Sequence, residues 1–245
     1  MVRAQRMEMP RIGTRKLYFL LSEQFHQQGI VIGRDRLFDF LRNEHMLIRP
    51  RKSYTKTTWS KHWLHKHPNL TKDIKPTAPE QLWVSDITYI RTRQQTCYLS
   101  LVTDAFSRKI MGYDLSSDLR SEHMVKALKM AVADRVYRCQ LIHHSDRGLQ
   151  YCSEPYQKTL AASNILCSMT DGYDCYQNAL AERINGILKE EFLFVEADNI
   201  EQLQVMVRQS VDIYNSKRPH ISLNMRTPNQ AHKQKSPALT EPGTY

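Results

Sequence analysis

Three carboxylates stand where an unaided carboxylate is hard to account for. Asp86 interrupts the β-rich run LWVSDITYI, between Val84 and Thr88 on its own face. Charged residues are depleted from strand interiors and costly to bury unpaired. Asp146 closes the apolar opening of LIHHSDRGLQY. A turn is its ordinary reading, because Asp and Gly favour turns. The position is also the C-terminal end of a short strand, where ligands of α/β sheets usually bind. If the two strands are neighbours, Asp86 and Asp146 share one end of a sheet, and a third member is expected nearby.

Glu182, in NALAERINGILKEEF, is the candidate for that third member. Helix geometry puts Asn178, Glu182, Asn185 and Lys189 on one side and Leu180, Ile184, Ile187 and Leu188 on the other. The apolar side can dock on a sheet while the polar side offers a carboxylate, amides and an ammonium together. Taken alone, this helix reads first as an ordinary solvated surface face.

The elements that would position these residues follow from periodicity. LWVSDITYI, CYLSLVTDAF and RKIMGYDL form three strands of an antiparallel meander. SEHMVKALKMAVADR is a helix with Met124, Leu128 and Ala131 or Val132 on one face. LIHHS is a fourth strand, SEPYQKTLAASN a helix and ILCSMT a fifth strand. ALAERINGILKEEF and IEQLQVMVRQSVDIYNS are two more helices. The expected fold class is α/β: a mixed five-stranded sheet with flanking helices.

The first third of the chain has another character. In RIGTRKLYFLLSEQFHQQG, Leu17, Leu20, Leu21 and Phe25 recur at helical spacing, with Thr14 placed to cap the helix and Gly29 to end it. RDRLFDFLRNEHMLI repeats the pattern through Leu37, Phe38 and Leu41. Two short helices with a tight link fit a small all-α helix-turn-helix domain, with Arg34, Arg36 and Arg42 available to phosphates. RPRKSYTKTTWSKHWLHKHPN follows without an apolar period. Its cations can meet phosphates, while Tyr54, Trp59 and Trp63 can pack on sugars or bases. The prolines of KPTAPEQ mark a boundary. The reading divides the chain into a helix-turn-helix domain (1–52), a basic arm (53–78), a catalytic α/β domain (79–232) and a C-terminal tail (233–245).

Composition limits the partners. The chain has 245 residues and a net charge of +10. Residues 1–75 carry 16 Lys and Arg against 6 Asp and Glu, whereas the remainder carries 19 of each, so the whole excess lies in the first third. Such asymmetry points to a polyanion, most simply nucleic acid. Hydrophobic residues make up 41%, enough for a core. No apolar run approaches a membrane span and no secretory h-region follows Met1, so a soluble intracellular protein without membrane contact is expected. Five scattered cysteines without a CxxC pair read as reduced thiols, and His62, His65 and His67 have no cysteine pair to complete a zinc finger.

Asp146 and Glu182 are separated by 35 residues. With that spacing, WVSDITYI, HHSDRGLQY and NALAERINGILKEEF closely resemble the D, D-x35-E core of retroviral-integrase-like transposases from bacterial insertion sequences. VTDAFSRKIMGY and YNSKRPHISLNMRTPNQ match further segments usual in that family, so the resemblance runs from about Trp83 to Gln230. It implies a ribonuclease-H-like fold in which Asp86, Asp146 and Glu182 are the catalytic residues and bind two Mg²⁺ ions, with Mn²⁺ as a substitute. Oxygen ligands suit such hard cations. Two carboxylates ~4 Å apart repel by about 4 kcal/mol at an effective dielectric of ~20, so a cation explains why the cluster is tolerated. Paired metals activate the attacking oxygen and stabilise the leaving one in a displacement at phosphorus.

The same resemblance makes Lys189 a DNA contact near the cut and places Arg218 and His220 in the family's YN-x2-RPH segment. Asn178, Arg34, Arg36, Arg42, Trp59, Trp63 and Arg218 are the other expected DNA contacts. His144, Asn185 and His220 are expected to support the carboxylates from behind. Asp104, in VTDAF, rivals Asp86 but sits where turn capping is ordinary. Gln177-Asn178 departs from the family's usual Asp-Asn, which puts loop contacts in doubt.

The implied function is a DNA transposase that cleaves and joins strands at insertion-sequence ends. Its partners would be double-stranded DNA, at the element ends and the target, and further copies of itself on that DNA, in the bacterial cytoplasm and nucleoid. The alternatives are a transposase-derived DNA-binding protein without catalysis, against which the intact triad argues, and a ribonuclease-H-like nuclease that does not join. The abrupt start near a helix-turn-helix also resembles the downstream product of elements that split the enzyme between two frames. An upstream helix-turn-helix product is then a further expected partner.

Overall fold

The computed structural model describes residues 1–48, 66–72, 74–171 and 178–233. Its centre is a five-stranded sheet in the order β3-β2-β1-β4-β5. The strands are β1 (Leu82–Arg91), β2 (Thr96–Asp104), β3 (Ile110–Ser116), β4 (Leu141–Ser145) and β5 (Ile165–Met169). The first three form the antiparallel meander, and β4 and β5 add parallel strands beside β1. The mixed sheet expected from the alternation of strand and helix signals is therefore present.

Two layers of helix cover it. On one face, α4 (Ser121–Ala133) and α5 (Glu154–Ala162) bury Met124, Leu128, Tyr156 and Leu160 against Trp83, Val102 and Met111. Ala131, not Val132, completes the buried stripe of α4. The fit of α4 on the sheet depends on Gly112, where an added Cβ would stand 2.1 Å from the Ala127 carbonyl oxygen. On the other face lie α6 (Ala179–Ile187) and α7 (Ile200–Ser216), followed by the short α8 (Pro228–His232). Within the described residues, no helix is long and apolar enough to cross a membrane.

Three helices precede the sheet: α1 (Val2–Glu8), α2 (Thr14–Gln27) and α3 (Arg34–Asn43). Leu17, Leu21 and Phe25 of α2 and Leu37 and Leu41 of α3 are buried, as their spacing predicts. They form one continuous apolar cluster with Leu99 and Leu101 of the sheet and Ile184, Val207 and Tyr214 of the α6–α7 layer. At about 1.5–3 kcal/mol for each fully buried large side chain, this shared core ties the helical unit to the α/β body. Two details differ from the sequence reading. Thr14 is the first helical residue, with Gly13 in the cap position and no side-chain cap bond. Phe38 points outward, because only one narrow stripe of the ten-residue α3 meets the core. Gly29 ends α2 in the left-handed region, at φ 68°, where a side chain would be strained.

The helix after β5 also departs from regularity. The sequence pattern predicts one α-helix through Phe192, but α6 stops at Ile187 and the chain continues as a π-helical turn over Leu188–Phe192. The Leu193 amide bonds the Leu188 carbonyl at 2.8 Å, five residues back. Such wide turns are rare and cluster at functional sites. Here the wide turn buries both Leu188 and Phe192 and turns Glu191 toward Arg218.

Candidate active site

Pairing of β1 with β4 ends at Val84 opposite His144. Asp86 and Asp146 each lie two residues further along two neighbouring parallel strands, just beyond the last pair that β1 and β4 make. Asp86 stays inside β1, opposite Leu101 of β2. Asp146 leaves β4 in a tight turn, where its Oδ1 accepts the Gly148 amide at 3.0 Å. A Cβ on Gly148 would stand 3.0 Å from that same oxygen, so glycine leaves room for the carboxylate.

Helix α6 crosses the sheet beside Asp86. At its start the Asn178 amide donates to the Ser85 carbonyl at 3.0 Å, and one turn pair later Asn185 Nδ2 donates to Asp86 Oδ2 at 2.8 Å. The polar side of the helix thus faces inward at both asparagines and carries an exposed Glu182 between them. Asp86 is raised to about 7, first by burial and then by the charge of Asp146, with Glu182 adding to the effect and the Asn185 hydrogen bond opposing it. The three carboxylates therefore share one electrostatic site. Among the described residues no three His, Cys, Asp or Glu side chains lie close enough to enclose an ion, so Glu182 stands apart from the aspartate pair. The donor set is all oxygen and the charges repel one another. Both properties fit a hard divalent cation.

A cavity of about 450 Å³ opens beside the pair, lined by Asp86, Thr88, Tyr89, Tyr98, Asp146 and Tyr151 among others. Lys189 lies at its rim. Its Nζ is 3.3 Å from Thr88 Oγ1 and 4.6 Å from the centre of the Tyr89 ring. Asn185 is where a supporting residue was expected.

Other residues were placed differently by the fold. Asn178 is buried on Ser85, and Arg218 is 1% exposed with its guanidinium forked onto Glu191 at 2.8 and 2.6 Å. Neither side chain presents a surface to DNA. His144 Nδ1 bonds Ser168 Oγ at 2.8 Å, toward β5 and away from Asp86. His220 bonds Arg218 at 3.1 Å and is pushed down to about 2, by burial and then by the Arg218 charge. Both histidines are thus hydrogen-bonded to side chains other than the carboxylates. Asp104 accepts the amides of Glu80 and Ser107 and the Ser107 hydroxyl at 2.6–2.7 Å, which makes it a buried turn anchor. Arg34 and Arg42 are exposed and paired with Asp35 and Asp39, and Arg36 is exposed. Trp59, Trp63 and Gln177 fall outside the described residues. Tyr151 went unnoticed in the sequence, since a lone tyrosine after a turn carries no signal of its own.

Two models of the integrase core domain family match the chain, over residues 76–175 and 163–228. A 31 kDa protein of insertion element IS600 from Shigella sonnei is 35% identical over 219 residues, covering 88% of this chain and 79% of that protein. The transposase of IS904 from Lactococcus lactis is 35% identical over 173 residues, covering 69% and 68%. Among solved structures, the catalytic core domain of HTLV-2 integrase, in complex with magnesium, aligns with a TM-score of 0.52 at 20% identity, covering 63% of this chain and 97% of that one. A chain of the simian T-cell lymphotropic virus intasome, in complex with PP2A regulatory subunit B56 gamma, aligns with a TM-score of 0.55 at 18% identity, covering 100% and 78%. At these identities the two structures establish the fold alone, which is that of an integrase core. Taken with the sequence relatives, they place the chain in the family of insertion-sequence transposases built on an integrase core domain.

Proposed function

We propose that the chain cleaves and joins DNA strands at the ends of an insertion sequence, with Asp86, Asp146 and Glu182 as its catalytic carboxylates. The observation that carries this reading is the pair of aspartates just beyond the β1–β4 pairing, one of them raised to about 7 by burial and by its neighbour. Asn185 and a backbone amide hold the two carboxylates in place, and the charge of Asp146 adds to the rise at Asp86. Two Mg²⁺ ions, or Mn²⁺ in their place, would be held by these three side chains and would supply charge neutralisation at the attacking and leaving oxygens.

The chain's own groups hold the site ready. Asn185 orients Asp86, the Gly148 amide orients Asp146, and the Asn178 contact pins the start of α6, the helix that carries Glu182. Lys189, resting on Tyr89, offers a cation to a phosphate at the cavity mouth. Arg15, Lys16 and Arg34 line a second cavity, of about 570 Å³, at the amino ends of α2 and α3. With Arg36 and Arg42 they make the helical unit the natural holder of duplex DNA. Water is the nucleophile for nicking and a 3′-hydroxyl for joining. Two element ends call for at least two copies on DNA, and an upstream helix-turn-helix product is a candidate partner in a bacterial nucleoid.

Labelled duplexes copied from the DNA flanking the gene test this with Mg²⁺, beside Asp146→Asn. Metal-dependent nicked and joined products that vanish in the variant are expected. Nicks without joining point to a nuclease. Binding without cleavage, even with the upstream product added, overturns catalysis.

A further inference from the structure

Buried polar atoms without a hydrogen-bond partner are rare in folded proteins, and each needs a reason. Around the aspartate pair several occur together: Asn178 Oδ1, Asn185 Oδ1, His143 Nδ1 and the Tyr151 hydroxyl. The tyrosine differs from the rest because its side chain also lines the cavity that holds Asp86 and Asp146. It is 2% exposed. Its ring is clamped edge-on against Tyr156 at 5.3 Å and lies 6.4 Å from the His143 ring. Its backbone amide bonds the Gly148 carbonyl at 3.0 Å, so the turn that aims Asp146 also sets this ring.

The neighbouring tyrosine shows what a hydroxyl kept for the fold looks like. Tyr156 is equally buried, and its oxygen lies 2.9 Å from His143 Nε2. A phenylalanine at position 151 would fill the same volume without leaving a donor unpaired. The hydroxyl is therefore unaccounted for by packing, on a residue that lines the cavity of the aspartate pair. Burial and the nearby Tyr156, Asp146 and Asp86 push the phenol well above its ordinary range, so it stays protonated, able both to donate and to accept a hydrogen bond.

We propose that Tyr151 is a positioning residue for the divalent cation, its phenolic oxygen accepting a hydrogen bond from the water shell of a cation held by Asp86 and Asp146. The inference rests on the reading of that pair as a metal site. Groups that hydrogen-bond around metal ligands typically alter metal affinity by ten- to a hundredfold.

The test compares the full chain with Tyr151→Phe and Tyr156→Phe, measuring the melting temperature without metal and Mn²⁺ affinity by titration calorimetry, in the absence of DNA. Tyr151→Phe is expected to melt at or above the wild-type temperature and to bind Mn²⁺ roughly tenfold more weakly. Tyr156→Phe is expected to melt lower and to keep wild-type affinity. If Tyr151→Phe binds Mn²⁺ as the wild type does, the hydroxyl has no part in the metal site and the proposal fails alone. A lower melting temperature with unchanged affinity would likewise assign the hydroxyl to the fold. If the wild type itself binds no Mn²⁺, the metal reading of Asp86 and Asp146 falls with it.

Discussion

Replacing Arg218 separates a structural arginine from a DNA contact. Its guanidinium is buried, makes two bonds to Glu191, and lies 3.1 Å from His220 Nε2 and 5.8 Å from the centre of the Tyr214 ring. Removing one partner of such a pair costs about 3–5 kcal/mol, because the other charge is left buried. Here Lys16 Nζ stays 3.5 Å from Glu191 and Glu191 keeps some solvent contact, which argues for the lower figure. Arg218→Met should therefore lose ~3 kcal/mol, or roughly 6–12 °C in Tm for a chain of this size. Adding Glu191→Gln should restore at least half of that, since no uncompensated carboxylate remains. The measurement is thermal and urea unfolding of both variants, with DNA affinity measured at several salt concentrations below the transition. Glu191 sets the pH dependence: burial pushes its carboxyl up, but the hydrogen bond and charge of Arg218, with Lys16, hold it below the usual range. The stabilisation is thus present above about pH 4 and fades as pH falls further, so the deficit of the variant should shrink in acid. An Arg218→Met protein with wild-type Tm but weaker DNA binding and a shallower salt slope would refute the structural assignment.

Four further outcomes follow from particular contacts. Lys16 is pushed down to about 8, first by burial and then by the Arg218 charge, against the pull of Glu191. Between about pH 8 and 10.5 the unfolded chain binds more protons, so stability should rise by up to about 1.4 kcal/mol per pH unit, a rise that unfolding of Lys16→Met should lack. Asp104→Asn turns an acceptor of three donors into a partial donor, and chemical denaturation should show a loss of about 1–3 kcal/mol while strand joining stays metal-dependent. Asp86→Asn should do the reverse, abolishing joining while leaving the metal-free fold as stable or more stable by thermal unfolding, since a buried charge and its repulsion by Asp146 are removed. Gly112→Ala drives a Cβ into the backbone of α4, 2.1 Å from the Ala127 oxygen and 2.7 Å from the Ala131 nitrogen. A lowered urea midpoint equivalent to about 3 kcal/mol or more is expected.

Much of this molecule is legible without coordinates. Strand and helix periods in LWVSDITYI, SEHMVKALKMAVADR and IEQLQVMVRQSVDIYNS are local, because side-chain direction repeats every two or 3.6 residues whatever the fold. Asp86 and Asp146 also announce themselves locally, one as a charge inside a strand and the other as a charge at a strand end. Their union required only that β1 and β4 be neighbours, which the sheet order supplies. The charge asymmetry that sets the first third of the chain apart is likewise a property of composition alone.

Tertiary structure decided which side of each polar residue meets protein and which meets solvent. Asn178 and Asn185 share a helical stripe with Glu182, yet the asparagines are buried against β1 while the glutamate is exposed; the period cannot say how a helix is rolled on its sheet. Arg218 reads as a surface cation until Glu191, 27 residues away, is turned toward it by a π-helical turn that no residue pattern announces. The difference between Asp86 and Asp104 is of the same kind. Both end or interrupt a β-strand in sequence, but Asp104 is met by three donors from its own turn and from Glu80, whereas Asp86 is met by another carboxylate. Residue type and spacing determined which groups could do chemistry, because those are properties of the chain. Long-range packing decided which of them anchor the fold and which are set against another carboxylate, because that depends on neighbours the chain brings together only when it folds.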